Sequence, residues 1–135
     1  MAIIIKKCPD CQKEIDVYCG QYAYFGQLVW HASFNCFYCG NVIEEDGIGM
    51  PPEEIRKAIL SQEGRWSLEV WETGDRATLA IKIIRETLEL SLSDAIMLKK
   101  KIPGKVLTGT QAEIHRLQQL LEVRDIQSSN GRIEN

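Results

Sequence analysis

Four of the five cysteines fall in two short turns, Cys8-Pro9-Asp10-Cys11 and Cys36-Phe37-Tyr38-Cys39-Gly40. A Cys-x-x-Cys turn delivers two sulfurs to one ion, and two such turns close a tetrahedron of thiolates. The 24 residues between Cys11 and Cys36 suffice for a pair of strands to leave the first turn and return to the second. Gly40 lets the chain turn away after Cys39 with positive φ and is expected to point its amide at a sulfur. Four thiolates leave no position for a substrate or water, so the spacing implies a structural metal rather than a catalytic one. In so short a segment the metal replaces a core that the chain cannot build. Free thiols and a thioredoxin-like redox pair are the competing readings. The redox pair leaves one turn unexplained and has no βαβ unit around it. Four thiolates alone do not choose between zinc and iron; Zn2+ is the expectation here.

Around these turns, Ile3-Ile4-Ile5 reads as a strand, and Tyr22 to Phe25 and Leu28 to Trp30 read as short strands about Gly26. The pattern over residues 1–47 resembles a zinc ribbon. The run Trp30-His31-Ala32-Ser33-Phe34-Asn35-Cys36-Phe37 also resembles the Trp-His-x-x-Cys-Phe run of LIM domains, with two extra residues before the cysteine. A LIM-type site would use Cys8, Cys11, His31 and Cys36 and leave Cys39 for a second ion. Val42 stands where that second site needs a cysteine, so Cys8, Cys11, Cys36 and Cys39 are preferred as ligands. His31 is then a reserve ligand or a group packed beside the site. Cys19 is unpaired by spacing and reads as a small buried hydrophobe.

The chain of 135 residues is 44% hydrophobic and 26% charged, which fits one ordinary globular domain or two very small ones. No apolar run approaches the roughly 20 residues that span a bilayer, and the first charges follow the apolar run at the start where a signal peptide would put them before it. The expectation is a cytoplasmic protein, where thiols stay reduced and bind metal. The net charge is −3, and residues 1–47 alone carry three lysines against six acids. Neither DNA nor phosphate binding by this module is expected.

Gly47-Ile48-Gly49-Met50-Pro51-Pro52 interrupts regular structure. A connecting helix over 48–64 follows: Pro52, Glu53 and Glu54 suit its first turn, Ile55, Ala58 and Ile59 share a face, and Gly64 ends it. Ser67 to Trp71 alternates as a strand. From Arg76 to Leu88 the apolar spacing is helical. Ser91 to Ser93 offer caps for a second helix reaching Ile102, and Pro103-Gly104 stops it. Lys105 to Leu107 is a short strand. Thr110 and Glu113 form a capping box that opens a helix to about Glu122. A last strand is placed over 123–128, and the polar residues 128–135 read as a disordered tail. The fold class is α+β: a small β module, then a β-α-α-β-α-β sandwich over 65–127.

That order, with Ile81-Lys82-Ile83-Ile84-Arg85 and then Leu90-Ser91-Leu92-Ser93-Asp94-Ala95, resembles the C-terminal domain of the bacterial ribosomal stalk protein (the seven/twelve type). The family carries Ile-Lys-x-x-Arg, then Gly-Leu-Gly-Leu-x-Glu-Ala-Lys, then a proline that ends the helix. The register runs without a gap from Ile81 through Ala95 to Pro103. The resemblance implies a protein partner, a ribosome or translational GTPase in that family, held by the exposed face of the first two helices. Lys82 and Arg85 match the family's pattern. Glu89 and Ser91 replace its glycines, and Ile96 replaces its lysine, which makes the face more apolar. The zinc-ribbon-like module stands where the family has its dimerisation region and hinge.

An enzyme is not expected: no His–carboxylate motif and no phosphate-binding glycine loop is present, and His115 sits on an amphipathic helix where packing or exposure suffices to explain it. The expected function is a non-catalytic zinc-binding adaptor whose partner face includes Lys82, Arg85 and Ile96. The alternatives are a ribosome- or RNA-associated factor using Lys99-Lys100-Lys101, and a small immunity-type protein that neutralises a cognate toxin. The lysine run otherwise reads as a solvated helix end favoured by the dipole.

Overall fold

The computed structural model describes residues 1–134. The chain divides into two compact units, Met1–Gly64 and a second that begins at Arg65. The fold class is α+β, with four helices and two antiparallel sheets among the described residues.

The first unit is a four-stranded antiparallel meander, β1 (Ala2–Lys7), β2 (Glu14–Tyr24), β3 (Gln27–Asn35) and β4 (Val42–Ile48), followed by helix α1 (Glu53–Glu63). β2 and β3 run well beyond the short strands expected around Gly26. Phe25 and Gly26, both at positive φ (47° and 78°), make the two-residue turn whose twist matches the flanking strands. The acidic and glycine-containing sequence of β4 does not mark it as a strand. It pairs with β3 from Val42 to Ile48, and Gly47 belongs to it because the Trp30 ring covers that position: a Cβ on Gly47 would lie 2.6 Å from Trp30 Nε1.

Helix α1 packs within this unit. Ile55 and Ile59 close a small core with Ala2 and Cys19, flanked by Ile4, Trp30 and Ala32. Cys19 is fully buried there, with its thiol 3.6 Å from the Ala2 carbonyl. β1 is an edge strand, and the Gln62 side chain satisfies part of that edge. It donates to the Ile3 carbonyl at 2.7 Å and accepts the Ile3 amide at 2.9 Å.

The second unit has a three-stranded antiparallel sheet ordered β6-β5-β7, from β5 (Trp66–Val70), β6 (Gly104–Gly109) and β7 (Ser128–Arg132). Helices α2 (Gly74–Leu88), α3 (Leu92–Lys99) and α4 (Gln111–Glu122) supply the rest of the core. Leu68, Val70 and Val106 of the sheet meet Ala80, Ile84, Ala95, Ile114, Leu117 and Leu121 of the helices. The Thr110–Glu113 capping box forms in both directions, at 3.1 and 3.0 Å. Ser91 caps α3 by accepting the Asp94 amide at 3.1 Å. α3 stops at Lys99, short of the expected Ile102.

The C-terminal end differs from the sequence expectation. Residues 123–127 form the turn after α4, and the strand lies at Ser128–Arg132, within the expected disordered tail of 128–135; Asn135 lies outside the described residues. β7 is too polar for hydropathy to mark it. Backbone pairing with β5 holds it, together with Ser129, which accepts from Trp71 Nε1 at 2.9 Å and donates to Glu69 at 3.0 Å. Arg76 fastens the preceding turn. Its guanidinium donates to the Arg124 carbonyl at 3.2 Å, to the Asp125 carbonyl, and to Glu72 at 2.8 Å.

Glu89 ends α2 in the left-handed conformation at φ 54°, so Glu89→Gly should raise the stability of the second unit by ~0.5–1 kcal/mol in urea unfolding. A loss of stability would show that the Glu89 side chain contributes more than its backbone costs. Glu72 has its pKa held below the ordinary value, first by the Arg76 hydrogen bond and then by the Gln127 amide, against desolvation. A depressed carboxylate stabilises above its unfolded pKa and loses that contribution as the pH falls through the folded value. The stability gap between the wild type and Arg76→Ala should therefore narrow on acidification below the ordinary glutamate range. A gap unchanged with pH would assign Arg76's role to the backbone carbonyls alone.

Candidate functional site

The two cysteine turns have the same backbone construction. In the β1–β2 turn the Cys8 amide donates to the Lys13 carbonyl and the Gln12 amide to the Cys8 carbonyl, at 2.8 and 2.9 Å. In the β3–β4 turn the Cys36 amide donates to the Asn41 carbonyl and the Gly40 amide to the Cys36 carbonyl, both at 2.8 Å. Gln12 and Gly40 occupy equivalent places and both have positive φ, 64° and 79°. The Gly40 amide therefore goes to a carbonyl, not to the sulfur expected from sequence. The Cys39 sulfur takes its backbone donor from Asn41, and the Cys11 sulfur takes its from Lys13.

Because β1–β2 and β3–β4 are neighbouring hairpins of one meander, both turns emerge at the same end of the sheet. The sulfurs of Cys8, Cys11, Cys36 and Cys39 all lie within 4.8 Å of one another. Cys8 to Cys39 and Cys11 to Cys36 are each 3.6 Å. A tetrahedral ion with thiolates at about 2.3 Å sets its sulfurs about 3.8 Å apart, so the donor set fits such an ion. Cys8 and Cys36 are buried with Ile15, beside Val17 and Phe34, while Cys39 is exposed. Lys13 lies over the Tyr38 ring at 5.5 Å and links the two turns.

The electrostatics suit a cation. As free thiols, Cys8 is lowered to about 6, chiefly by the Cys11 amide, against the cost of burial and with help from the Asp10 amide and the facing thiols. Cys39 is pushed up to about 12: the Asn41 amide favours its thiolate, but desolvation and the three neighbouring sulfurs outweigh it. Cys11 is also raised, its Lys13 amide outweighed by burial and by Cys36 and Cys8. The cluster accepts a first negative charge and resists the next, the condition that a divalent ion relieves.

His31 is not in this group. It stands in the middle of β3, in register with Gly20 and Asp46. Strand alternation puts it on the face opposite Trp30 and Phe34.

In the second unit Lys82, Arg85 and Ile96 line one groove of about 700 Å³ between α2 and α3. Leu92, Ala95 and Lys99 line it too, with Glu86 and Glu89 on its wall. Leu92 and Ile96 are exposed. Arg85 also holds the turn between the helices, because its Nε donates to the Leu90 carbonyl at 3.2 Å. Lys99 belongs to this groove, which its place in the lysine run does not reveal. His115 packs edge-on to Trp66, with ring centres 6.1 Å apart.

No protein-family model, curated protein or solved structure matches this chain. No helix among the described residues is long and apolar enough to cross a membrane.

The thiol geometry predicts one divalent ion per chain. Co2+ titration should give the absorption of a tetrahedral tetrathiolate site in the wild type, in Cys19→Ser and in His31→Ala. Cys36→Ser should weaken or abolish it. Loss of the signal in His31→Ala with the fold retained would return His31 to the ligand set.

Proposed function

We propose that this chain is a non-catalytic adaptor, stabilised by Zn2+ on Cys8, Cys11, Cys36 and Cys39, that binds a protein partner through the α2–α3 groove. The observation that carries the reading is the groove itself. Lys82, Arg85 and Ile96 are three positions marked by the resemblance to the ribosomal stalk domain, and they share one apolar-floored cleft with Leu92 and Lys99. The cations at the groove give direction and association rate, and the exposed Ile96 and Leu92 give an apolar anchor.

The stalk-domain reading draws support from the element order and from Glu89, whose left-handed backbone falls where that family has glycine. A ribosome or translational GTPase is the partner class the resemblance implies. The exchange of the family's lysine for Ile96 favours a partner with more apolar surface at that point. Four thiolates at metal-binding distance suit the reducing cytoplasm in which we place the protein.

The test is affinity purification of the tagged chain from its own cells at low and high salt, with proteins and metal identified in the same eluate. Lys82→Glu combined with Ile96→Asp should reduce recovery of the partner by about tenfold or more. Arg85 is left intact because its loss would also free the interhelical turn. Undiminished recovery by the double variant, with an unchanged fold, would remove the groove as the interface.

A further inference from the structure

The face of the first sheet that α1 leaves uncovered carries a surface used neither by the thiol cluster nor by the α2–α3 groove. Strand alternation places Ile3, Tyr18, Tyr22 and Ile48 there, and all four are exposed. The register sets the side chains in rows across the strands. Ile3, Tyr18, Ser33 and Glu44 make one row. Gly20, His31 and Asp46 make the next, and Tyr22, Val29 and Ile48 the third.

The His31 imidazole fills the middle row. Gly20 has no side chain, and the His31 ring lies across it: a Cβ on Gly20 would be 2.7 Å from His31 Cε1. Tyr18 and Tyr22 stand on either side along β2, about 13 Å apart at their backbones. Nδ1 of His31 is buried and has no hydrogen-bond partner. Asp46 closes the row on β4, an edge strand, with Glu44 beside it.

Charge selects the occupant. Asp16, Glu44 and Asp46 lie on this face, while its one lysine, Lys7, is in register with Glu14. A second copy docked face to face would oppose carboxylate with carboxylate. Nucleic-acid phosphates and anionic lipid headgroups meet the same repulsion. A cationic side chain meets aromatic faces and carboxylates together, the pairing that holds guanidinium and ammonium groups. We propose that this sheet face binds an arginine-bearing polypeptide segment of a partner protein. Its guanidinium stacks on an exposed tyrosine ring, Tyr18 or Tyr22, within the field of the carboxylates of this face, and apolar neighbours of the segment rest on Ile3 and Ile48.

The experiment is a fluorescence-anisotropy titration of the metal-loaded full chain with a labelled peptide of alternating arginine and leucine. The same peptide with glutamate for arginine and a single-stranded RNA oligonucleotide serve as comparison probes. The arginine peptide should bind, more weakly as salt rises, and the other two should not. Tyr18→Ala with Tyr22→Ala, and separately Asp46→Lys, should each weaken binding by about tenfold. Glu122→Gln, which removes an exposed carboxylate of α4 outside both surfaces, should leave it unchanged. If the tyrosine variant loses its fold, Glu44→Lys with Asp46→Lys, both at exposed positions, carries the test. Absence of arginine-peptide binding, equal binding of the glutamate peptide, preference for RNA, or indifference to Asp46→Lys would each overturn the proposal.

Discussion

Four sulfurs within 4.8 Å of one another set the terms for the first unit. Backbone amides around them favour thiolate at Cys8, but each further negative charge is opposed by the sulfurs already there. A divalent ion turns that opposition into attraction, and its binding energy then counts toward folding. The apolar interior of this unit is split. Cys8, Ile15 and Cys36 gather at the thiol end, and Ala2, Cys19, Ile55 and Ile59 gather beneath α1. Neither group is a core of ordinary size.

The second unit has a single apolar core. Eleven buried apolar side chains form one continuous cluster from β5, β6, the three helices and Ile126. With its core secured by packing, α2 and α3 can leave exposed apolar residues at the groove between them, Leu92 and Ile96. The polar strand β7 is held from outside that core, through Glu69, Trp71 and the Arg76 guanidinium.

The two candidate binding surfaces differ in sign as well as in construction. The helical groove carries Lys82, Arg85 and Lys99 about an apolar floor. The open sheet face carries tyrosines and isoleucines beside Asp16, Glu44 and Asp46. Complementarity therefore favours different ligands for the two surfaces.

The sequence by itself determined what is local. The Cys-x-x-Cys spacing is a property of a few consecutive residues, and so are the Thr110–Glu113 capping box, the Gly26 turn and the ends of α1. Each is decided by hydrogen bonds or dihedrals within one turn of chain. The tertiary structure alone decided β4 and β7, because polar strands take their stability from the neighbour that pairs with them, and hydropathy carries no record of that neighbour. It alone decided that Gly47 belongs in a strand, since the reason is the Trp30 ring on the adjacent strand. It likewise decided the place of His31: the LIM-like run made it a reserve ligand, but alternation along β3 turns the imidazole to the face opposite Trp30, over Gly20. The identity of the candidate metal ligands was thus written in spacing, whereas the surfaces around them follow from which strand lies beside which.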